Sequence, residues 1–479
     1  MSRSTFAGYK KKRLFVILLI FIVLTGTVMY QSYKPLPDGL SYEGKVRKME
    51  DVDFLYDLTY QKENRVKSDR MIFDAVLKAI DDAEEFVVID LFLFNGYYNK
   101  GESYPDISAQ LTEKLLQKKK ENPDMPIVFI TDEINTSYGS HKSKELEAFK
   151  DAGIDVVISD MEPLRDSNPL YSSVWRTFFQ WFGQSGKGWV TNPFGDTAPD
   201  MTVRSYLKLF NVKANHRKAV ATEKTAIVSS ANPHDASGFH SNTAFQVSGN
   251  VIADVLESEQ AVSDYSGGPK LPEYTESGNE KGNIEVQVLT EGKIYEHLLS
   301  SIRAAEKQDV IWMGMFYLAD RKVINSLVEA SNRGVQVNMI LDPNQNAFGQ
   351  EKIGLPNRPV AEELMEDTKN KAKIRWYNTT NEQYHPKLLY IKGKNESTII
   401  SGSANFTKRN LDDLNLENDL KISAPQNEDV MKEVEAYFTK LWTNDGAEYT
   451  LNVEKYRDDM PVFKRGIYAL QKFFRFTTF

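Results

Sequence analysis

The sequence contains no cysteine among its 479 residues. A disulfide, a thiolate nucleophile and a cysteine-ligated zinc site are therefore all excluded. Any covalent chemistry would have to use serine, histidine, lysine or a carboxylate. Histidine is also scarce, with only 6 residues, so two histidines in matching sequence contexts are informative about function.

The sequence also lacks an excess of positive charge. Its formal charge at pH 7 is -8 and its pI is about 5.5. A protein that coats nucleic acid needs an excess of lysine and arginine on the binding face to neutralise phosphates. We therefore expect no nucleic acid partner, although a local basic cleft remains compatible with this composition.

One long apolar run stands near the N-terminus, at residues 14–30, directly after the basic residues 10–13. As a helix it would be about 26 Å long, slightly shorter than a bilayer core of about 30 Å. The positive-inside rule predicts a single-pass anchor in the cell membrane, with residues 1–13 cytoplasmic and the rest extracytoplasmic. The alternatives are a buried helix and a cleaved signal peptide, for which Met29, Tyr30 and Gln31 stand where small residues would be expected.

The remaining chain repeats one order of predicted elements. Each pass has a helix, a strongly apolar strand, a second helix and a second strand, which indicates an α/β fold with two halves packed pseudo-symmetrically. The first pass comprises residues 70–83, 86–94, 107–120 and 127–132, and the second comprises 294–305, 309–318, 321–332 and 335–342. The predicted boundaries are a linker at 31–50, a first half at 51–265, a linker at 266–282, a second half at 283–445 and a tail at 446–479.

Each half also contains one copy of the same polar motif. A histidine and a lysine stand two residues apart at the start of a predicted strand, where both face the same side. A hairpin then returns a serine and an asparagine towards that side. The residues are His216, Lys218, Ser230 and Asn232 in the first half, and His385, Lys387, Ser403 and Asn405 in the second.

Such a set suits an attack on a phosphodiester, an anion that resists nucleophiles until its charge is shielded. Two lysines and two asparagines can shield that charge. One imidazole can then attack phosphorus while the other protonates the leaving oxygen.

His-x-Lys followed by Ser-x-Asn, present twice, resembles the phospholipase D superfamily over about residues 69–442. Asn215, His216, Arg217 and Lys218 are similar to the version in cardiolipin synthases. The resemblance implies a duplicated phospholipase D-like fold of two α/β sandwich halves, a monomer with one intramolecular site, and a phosphohistidine intermediate. It also implies that no metal or cofactor is needed.

The resemblance further implies roles for the motif residues. His216 would be the nucleophile and His385 the general acid, although the reverse order is open. The lysines and asparagines would hold the nonbridging oxygens of the phosphoryl group. Ser230 and Ser403 would support them as substrate-binding residues.

The motifs depart from the family pattern at two places. The aspartate that follows His-x-Lys in the family is Glu223 in one half and Lys392 in the other. The family also places a downstream carboxylate against the imidazole. Glu417 matches that carboxylate in the second half, whereas Asn242 stands there in the first. One imidazole is therefore expected to lack an anionic partner, unless Asp235 or Glu223 substitutes.

Several other residues invite an interpretation. Asp132 and Asp342 end corresponding strands and either border the cleft or cap the strands. His141, His234 and His240 have no matching spacing and are interpreted as surface or supporting residues. The aromatic insertion, residues 160–205, either packs as a separate cluster or forms a lip at a membrane interface. It contains Trp175, Phe178, Phe179, Trp181, Phe182 and Trp189.

The C-terminal tail alternates apolar and basic faces at helical spacing. It either lies in an anionic membrane interface or docks on its own domain. Phe463, Ile467, Leu470 and Phe474 form one face, and Lys464, Arg465, Lys472 and Arg475 lie largely on the other.

The expected function is that of a phospholipase D or phosphatidyltransferase acting on membrane phospholipid. The alternatives are an extracellular nuclease or other phosphodiesterase on the same scaffold, and a catalytically silent lipid-binding protein of the envelope.

Overall fold

The computed structural model describes residues 3–278, 280–347 and 350–456. The apolar and basic faces predicted for the C-terminal tail lie outside these residues. The chain begins with a long helix, α1 (Arg3–Tyr33). Its stretch Lys10–Tyr33 is long and apolar enough to cross a membrane, with a mean hydropathy of 2.3 in its best window.

The first group of elements follows α1 and extends to residue 265. It contains β1 (Arg47–Met49), β2 (Asp53–Lys62), β3 (Arg65–Asp69), α2 (Ile72–Asp82), β4 (Val87–Leu91), α3 (Ile107–Glu121), β5 (Ile127–Thr131), α4 (Lys144–Asp151), β6 (Asp155–Ile158), α5 (Pro169–Phe178), α6 (Val203–Leu209), β7 (Lys218–Thr222), β8 (Ala226–Ser229), β9 (Asn242–Val247) and α7 (Val251–Tyr265).

The second group begins at residue 284. It contains β10 (Ile284–Thr290), α8 (Glu291–Ala304), β11 (Val310–Met315), α9 (Arg321–Arg333), β12 (Gln336–Leu341), β13 (Asn346–Ala347), β14 (Gln350–Glu351), α10 (Asn357–Asp367), β15 (Lys373–Tyr377), β16 (Lys387–Lys392), β17 (Glu396–Gly402), α11 (Lys408–Leu411), β18 (Asn418–Pro425), α12 (Asp429–Thr443) and β19 (Thr450–Asn452).

These strands form two large sheets, with strand orders β3-β2-β9-β8-β7-β4-β5-β6 and β1-β10-β18-β17-β16-β11-β12-β15-β19. The centres of the two sheets are arranged alike. In the first, β4 runs parallel to β5 and antiparallel to β7. In the second, β11 runs parallel to β12 and antiparallel to β16. The predicted fold class, two α/β halves preceded by an apolar helix, is confirmed.

The two sheets pack face to face, and α7 and α12 contribute to the core between them. One hydrophobic cluster combines Val88 and Phe245 of the first sheet with Leu388 and Ile422 of the second. Neighbouring residues on β4, such as Val87 and Ile89, point away into a separate cluster with α2 and α3. Because successive strand residues face opposite sides, strands buried on both faces are continuously apolar.

Two predicted boundaries need correction. Residues 47–49, assigned to a linker, form β1 and pair with β10 of the second sheet. Residues 450–452, assigned to the tail, form β19 and pair with β15. Both are three-residue edge strands held by backbone hydrogen bonds. They show no apolar run because an edge strand can pair without one.

Candidate active site

Both histidine motifs lie at the start of a central strand, where the two sheets meet. Lys218 is the first residue of β7 and Lys387 the first of β16. The backbone just before each strand pairs with the opposite half of the molecule. His216 N–H donates to Leu416 O at 2.9 Å, and His385 N–H donates to Ser241 O at 2.8 Å. The backbone at both histidines is therefore fixed by hydrogen bonds between the two halves.

Each imidazole binds a partner from the other half. His216 Nδ1 lies 2.9 Å from Glu417 Oε2. His385 Nδ1 lies 3.0 Å from Ser230 O and 3.1 Å from Asn242 Oδ1. All three partner atoms are acceptors, so each Nδ1 carries its proton and donates it. Nε2 is then the nitrogen of each ring that is left for chemistry.

Only one of these imidazole partners is a carboxylate, as the sequence led us to expect. Neither proposed substitute reaches His385. Glu223 lies at the far end of β7 and accepts the backbone N–H groups of Glu84 and Glu85. Asp235 accepts the Ser108 N–H at 2.9 Å, in the first turn of α3. Both carboxylates satisfy backbone donors elsewhere, so His385 is held by a neutral amide and a carbonyl.

The unequal partners place the histidines in different electrostatic surroundings. Burial lowers the pKa of His216 to about 4, although Glu417 acts in the opposite direction. Burial would raise the pKa of Glu417, but His216 and Lys218 outweigh it, so the net shift is downward. Burial, reinforced by Lys387, lowers the pKa of His385 well below its usual value. Near neutral pH, His216 is thus neutral and faces an ionised carboxylate.

The two lysines occupy equivalent positions. Lys218 Nζ donates to His216 O, and Lys387 Nζ donates to His385 O, each at 2.7 Å. Burial lowers the pKa of Lys218 to about 7 and moves that of Lys387 well below its usual value. An anion bound between them would favour their protonated forms, because an opposite charge stabilises a buried cation.

Sequence reasoning missed two phenylalanines that contact this polar set. Phe92 packs on His216 and Phe316 packs on His385, both with ring centroids 4.9 Å apart. Lys218 Nζ lies 5.3 Å from the centre of the Phe92 ring, and Lys387 Nζ lies 5.4 Å from that of Phe316. Aligning the two passes would have found them, since each is the first residue after its apolar strand.

The asparagines and the serines have different surroundings. Within the described part of the chain, the buried Oδ1 atoms of Asn232 and Asn405 have no hydrogen-bond partner. A buried polar atom without a partner is costly, so these amides suit a polar ligand. Ser230 Oγ instead donates to Asn242 Oδ1 at 3.0 Å, and Ser403 Oγ donates to Glu417. Both hydroxyls are fully buried and hold the partners of the histidines, and the assignment of the two serines to substrate binding stays a prediction.

Asp132 and Asp342 stabilise the approach to each motif. Asp132 Oδ2 accepts the N–H of Asn215 at 2.8 Å, and Asp342 Oδ2 accepts that of Tyr384 at 2.7 Å. Burial raises the pKa of each carboxyl to about 7. Asn215 and Tyr384 directly precede His216 and His385. The two aspartates therefore fix the backbone next to each imidazole.

His240 lies next to the site, whereas the two other histidines without matching spacing do not contact the motif histidines. The rings of His240 and His385 have centroids 6.0 Å apart, and His240 Nδ1 accepts the N–H of Gln383. Burial lowers the pKa of His240 to about 3. His234 binds Ser237 Oγ and the backbone of Tyr97, and His141 binds the Tyr97 hydroxyl.

Part of the second half matches a known protein family. Residues 298–442 match the family model described as cardiolipin synthase, PLD-like domain. No curated protein sequence matches the chain. The crystal structure of phosphatidylserine synthase from Haemophilus influenzae Rd KW20 is similar with a TM-score of 0.57 and 10% identity, over 95% of this chain and 98% of that one. At this level of identity the likeness shows a common fold.

Two further structures are less similar. The polyphosphate kinase of Porphyromonas gingivalis gives a TM-score of 0.44 at 12% identity, over 89% of this chain and 54% of that one. Nuc from Salmonella typhimurium, a phospholipase D family member, gives 0.27 at 20% identity, over 36% of this chain and 99% of that one. The family predicted from the motifs is supported by the match of the second half, where residues 298–442 form a PLD-like domain, and by the fold that both halves share with the Haemophilus influenzae structure.

Proposed function

We propose that this protein is a phosphodiesterase or phosphatidyltransferase that acts on membrane phospholipid through a phosphohistidine, as phospholipase D and cardiolipin synthases do. One observation carries the proposal. Two His–Lys–Asn sets occupy equivalent positions at the meeting of the two sheets, and each imidazole is oriented by the other half. The fold it shares with a phosphatidylserine synthase is consistent with that substrate class.

In the proposed first step, Nε2 of His216 attacks phosphorus. The bond from phosphorus to the leaving oxygen breaks, and His385 gives its Nε2 proton to that oxygen. Glu417 stabilises the positive charge that develops on the phosphorylated imidazole. Lys218 and Lys387 neutralise the charge of the nonbridging oxygens, and Asn232 and Asn405 donate hydrogen bonds to them through Nδ2.

In the proposed second step, water or an alcohol attacks the phosphohistidine. His385 Nε2 takes the proton from the attacking oxygen, and the bond between phosphorus and His216 breaks. Water would give a phosphatidic acid, and an alcohol would give a new phosphodiester. Both outcomes return His216 neutral and His385 protonated, ready for another cycle.

We also propose that α1 anchors the chain with its N-terminus in the cytoplasm and the site outside, in a monomer. The full chain, purified in nanodiscs of defined phospholipids, tests the activity through released headgroup and new lipid products. Single-stranded and duplex DNA serve as alternative substrates. Turnover of DNA without turnover of lipid would replace this proposal with a nuclease, and turnover of neither would favour a silent binding protein.

The pH dependence of kcat/KM should show an acidic optimum. The nucleophile must be neutral, so activity should rise with pH through the pKa of His216, about 4. The general acid must be protonated, so activity should fall as pH rises through the pKa of His385, which burial and Lys387 hold well below its usual value. A rate profile from pH 3 to 9 measures both limbs. Activity that increases steadily through pH 7 would contradict this assignment.

Asn242→Asp should move the falling limb to higher pH. The new carboxylate would lie next to His385 Nδ1, where Asn242 Oδ1 is now 3.1 Å away. An anion at that distance raises the pKa of an imidazole by roughly one to three pH units. Asn242→Leu, which provides no charge, is the matched control. An unmoved falling limb in an active Asn242→Asp variant would show that His385 is not the group that must be protonated.

A further inference from the structure

The aromatic insertion exposes an unusual amount of apolar surface. Eight of the thirteen large hydrophobic side chains that the described residues expose outside α1 lie within it. Trp175 is buried, at 3% exposure, so it packs inside the protein, whereas Trp181 and Trp189 are both 74% exposed. The interpretation as a separate packed cluster therefore does not hold for the outer aromatics. The exposed residues are Leu170, Val174, Phe178, Phe179, Trp181, Phe182, Trp189 and Val203.

The exposed residues of α5 form one face of that helix. Leu170, Val174 and Phe178 are spaced by four, so they lie one above another along its side. Ser172, Ser173 and Trp175 are buried on the rest of the helix. A helix on the water-exposed surface of a protein normally turns its apolar face towards the core. The outward stripe of α5 therefore needs an apolar environment outside the protein.

α5 packs against the membrane-spanning helix. The last turns of α1 are partly covered at Leu24, Thr27, Val28 and Gln31, a spacing that marks one helical face. These positions extend over about 10 Å of α1, at the end of its apolar run. α5 therefore lies at the depth where the hydrocarbon core meets the headgroups, which is where interfacial helices insert, about 5–10 Å deep.

Polar contacts fix the insertion at this level. Asp166 N–H donates to Gln31 O at 3.1 Å. Lys34 Nζ donates to Glu162 O at 2.8 Å, and Arg165 Nε donates to Lys34 O at 3.0 Å. The start of the insertion is thus bound to the end of α1 at several points, so it cannot move away from the membrane surface independently.

The charge of the middle segment of the insertion also fits a lipid surface. Residues 167–195 contain Arg176 and Lys187 and no acidic residue, in a chain with 67 acidic residues. Lys187 is exposed between the exposed Trp181 and Trp189. Tryptophan is favoured at the headgroup level, and basic side chains there are attracted to anionic lipids.

We propose that the aromatic insertion is a second, monotopic membrane contact, in which α5 and the loop to Trp189 enter the same leaflet that α1 exits into. The insertion leads through Lys213 directly to His216, and Lys213 Nζ is tied to Leu164 O and Asp166 within it. This contact holds the first histidine motif at a fixed height above the bilayer. A single flexible tether would not do so.

Because the chain has no cysteine, single cysteines can report the depth directly. We would make Trp181→Cys, Trp189→Cys and Val174→Cys in the full chain and label each with a polarity-sensitive fluorophore. The proteins go into nanodiscs whose phosphatidylcholine and phosphatidylglycerol include a lipid with a nitroxide near the top of its acyl chain. Leu18→Cys in α1 and the exposed Val66→Cys in β3 are the lipid-facing and water-facing controls.

We expect the emission of the three insertion labels to be blue-shifted and quenched by the nitroxide lipid. Both effects should be much larger than for the label at Val66→Cys. Quenching equal to that of Val66→Cys, with Leu18→Cys still quenched, would overturn the proposal. Dimers in the nanodiscs that shield the labels from the nitroxide would overturn it in favour of self-association. This readout is independent of enzymatic activity, so it stands apart from the proposed reaction.

A second arm rests on the proposed function. Trp181→Ala combined with Trp189→Ala should raise the apparent KM for bilayer phospholipid severalfold and leave turnover of a short-chain, water-soluble phosphodiester unchanged. Equal loss on both substrates would indicate damage to the site and would count against a surface role.

Discussion

His216→Ala should eliminate the covalent phosphoenzyme and lower kcat by at least about ten-thousandfold, since loss of a covalent nucleophile removes the main reaction path. Its carboxylate partner, 2.9 Å from Nδ1, would be left without the group it orients. The phosphoenzyme is measured by trapping protein labelled from a radioactive phosphodiester at high pH, where phosphohistidine survives. His297→Ala, a replacement of a histidine paired with Glu43, is the control and should retain label.

The activity of His385→Ala should depend on the leaving group of the substrate, unlike that of His216→Ala. Loss of the general acid should slow ordinary substrates by about a hundredfold to ten-thousandfold. A substrate whose leaving group needs no proton should recover part of that loss and still label the protein. Label retained in His216→Ala and lost in His385→Ala would reverse the roles of the two histidines.

Arg217→Leu should destabilise the fold by about 3–5 kcal/mol, the usual consequence of removing one partner of a buried ion pair. The Arg217 guanidinium is completely buried, 2.7 Å from Glu291 and 3.4 Å from Glu259. Without it, carboxylates that are themselves buried lose their counter-charge. The midpoint of chemical unfolding, followed by tryptophan fluorescence in a constant detergent, measures the change.

Two variants sharpen the test of Arg217. Arg217→Leu combined with Glu291→Leu should recover part of the stability, because it removes a carboxylate along with its counter-charge. Lys78→Ala, which breaks the exposed pair with Asp82, should leave the midpoint essentially unchanged. A midpoint for Arg217→Leu equal to that of Lys78→Ala would show that the buried pair contributes nothing.

Glu291 connects this ion pair to the site. Its Oε1 accepts both Arg217 and the backbone N–H of Glu417, the partner of His216. Its Oε2 accepts the N–H of Ser41, in the segment that follows α1. The backbone at Glu291 has φ +43°, a strained conformation for a residue other than glycine. The surrounding contacts thus hold Glu291 where it can fix Glu417.

The sequence by itself determined the parts whose signals are local. The apolar run of α1 and the strands β4, β5, β11 and β12 follow from continuous hydrophobicity, a property of neighbouring residues. The paired motifs pointed to the phospholipase D superfamily because the same spacing occurs twice. The short strands β1 and β19 escaped prediction since they pair through backbone groups and carry no apolar pattern.

Only the tertiary structure decided which groups orient the histidines. Glu417 binds His216, 201 positions away in the sequence, and Asn242 binds His385, 143 positions away. Both hydrogen bonds cross the contact between the halves. The sequence showed one carboxylate and one amide at matching places but not which imidazole each would reach. That choice depends on how two sheets bring their buried faces together. The hydrophobic effect is non-directional, so the periodicity of the sequence does not indicate which distant residues will meet.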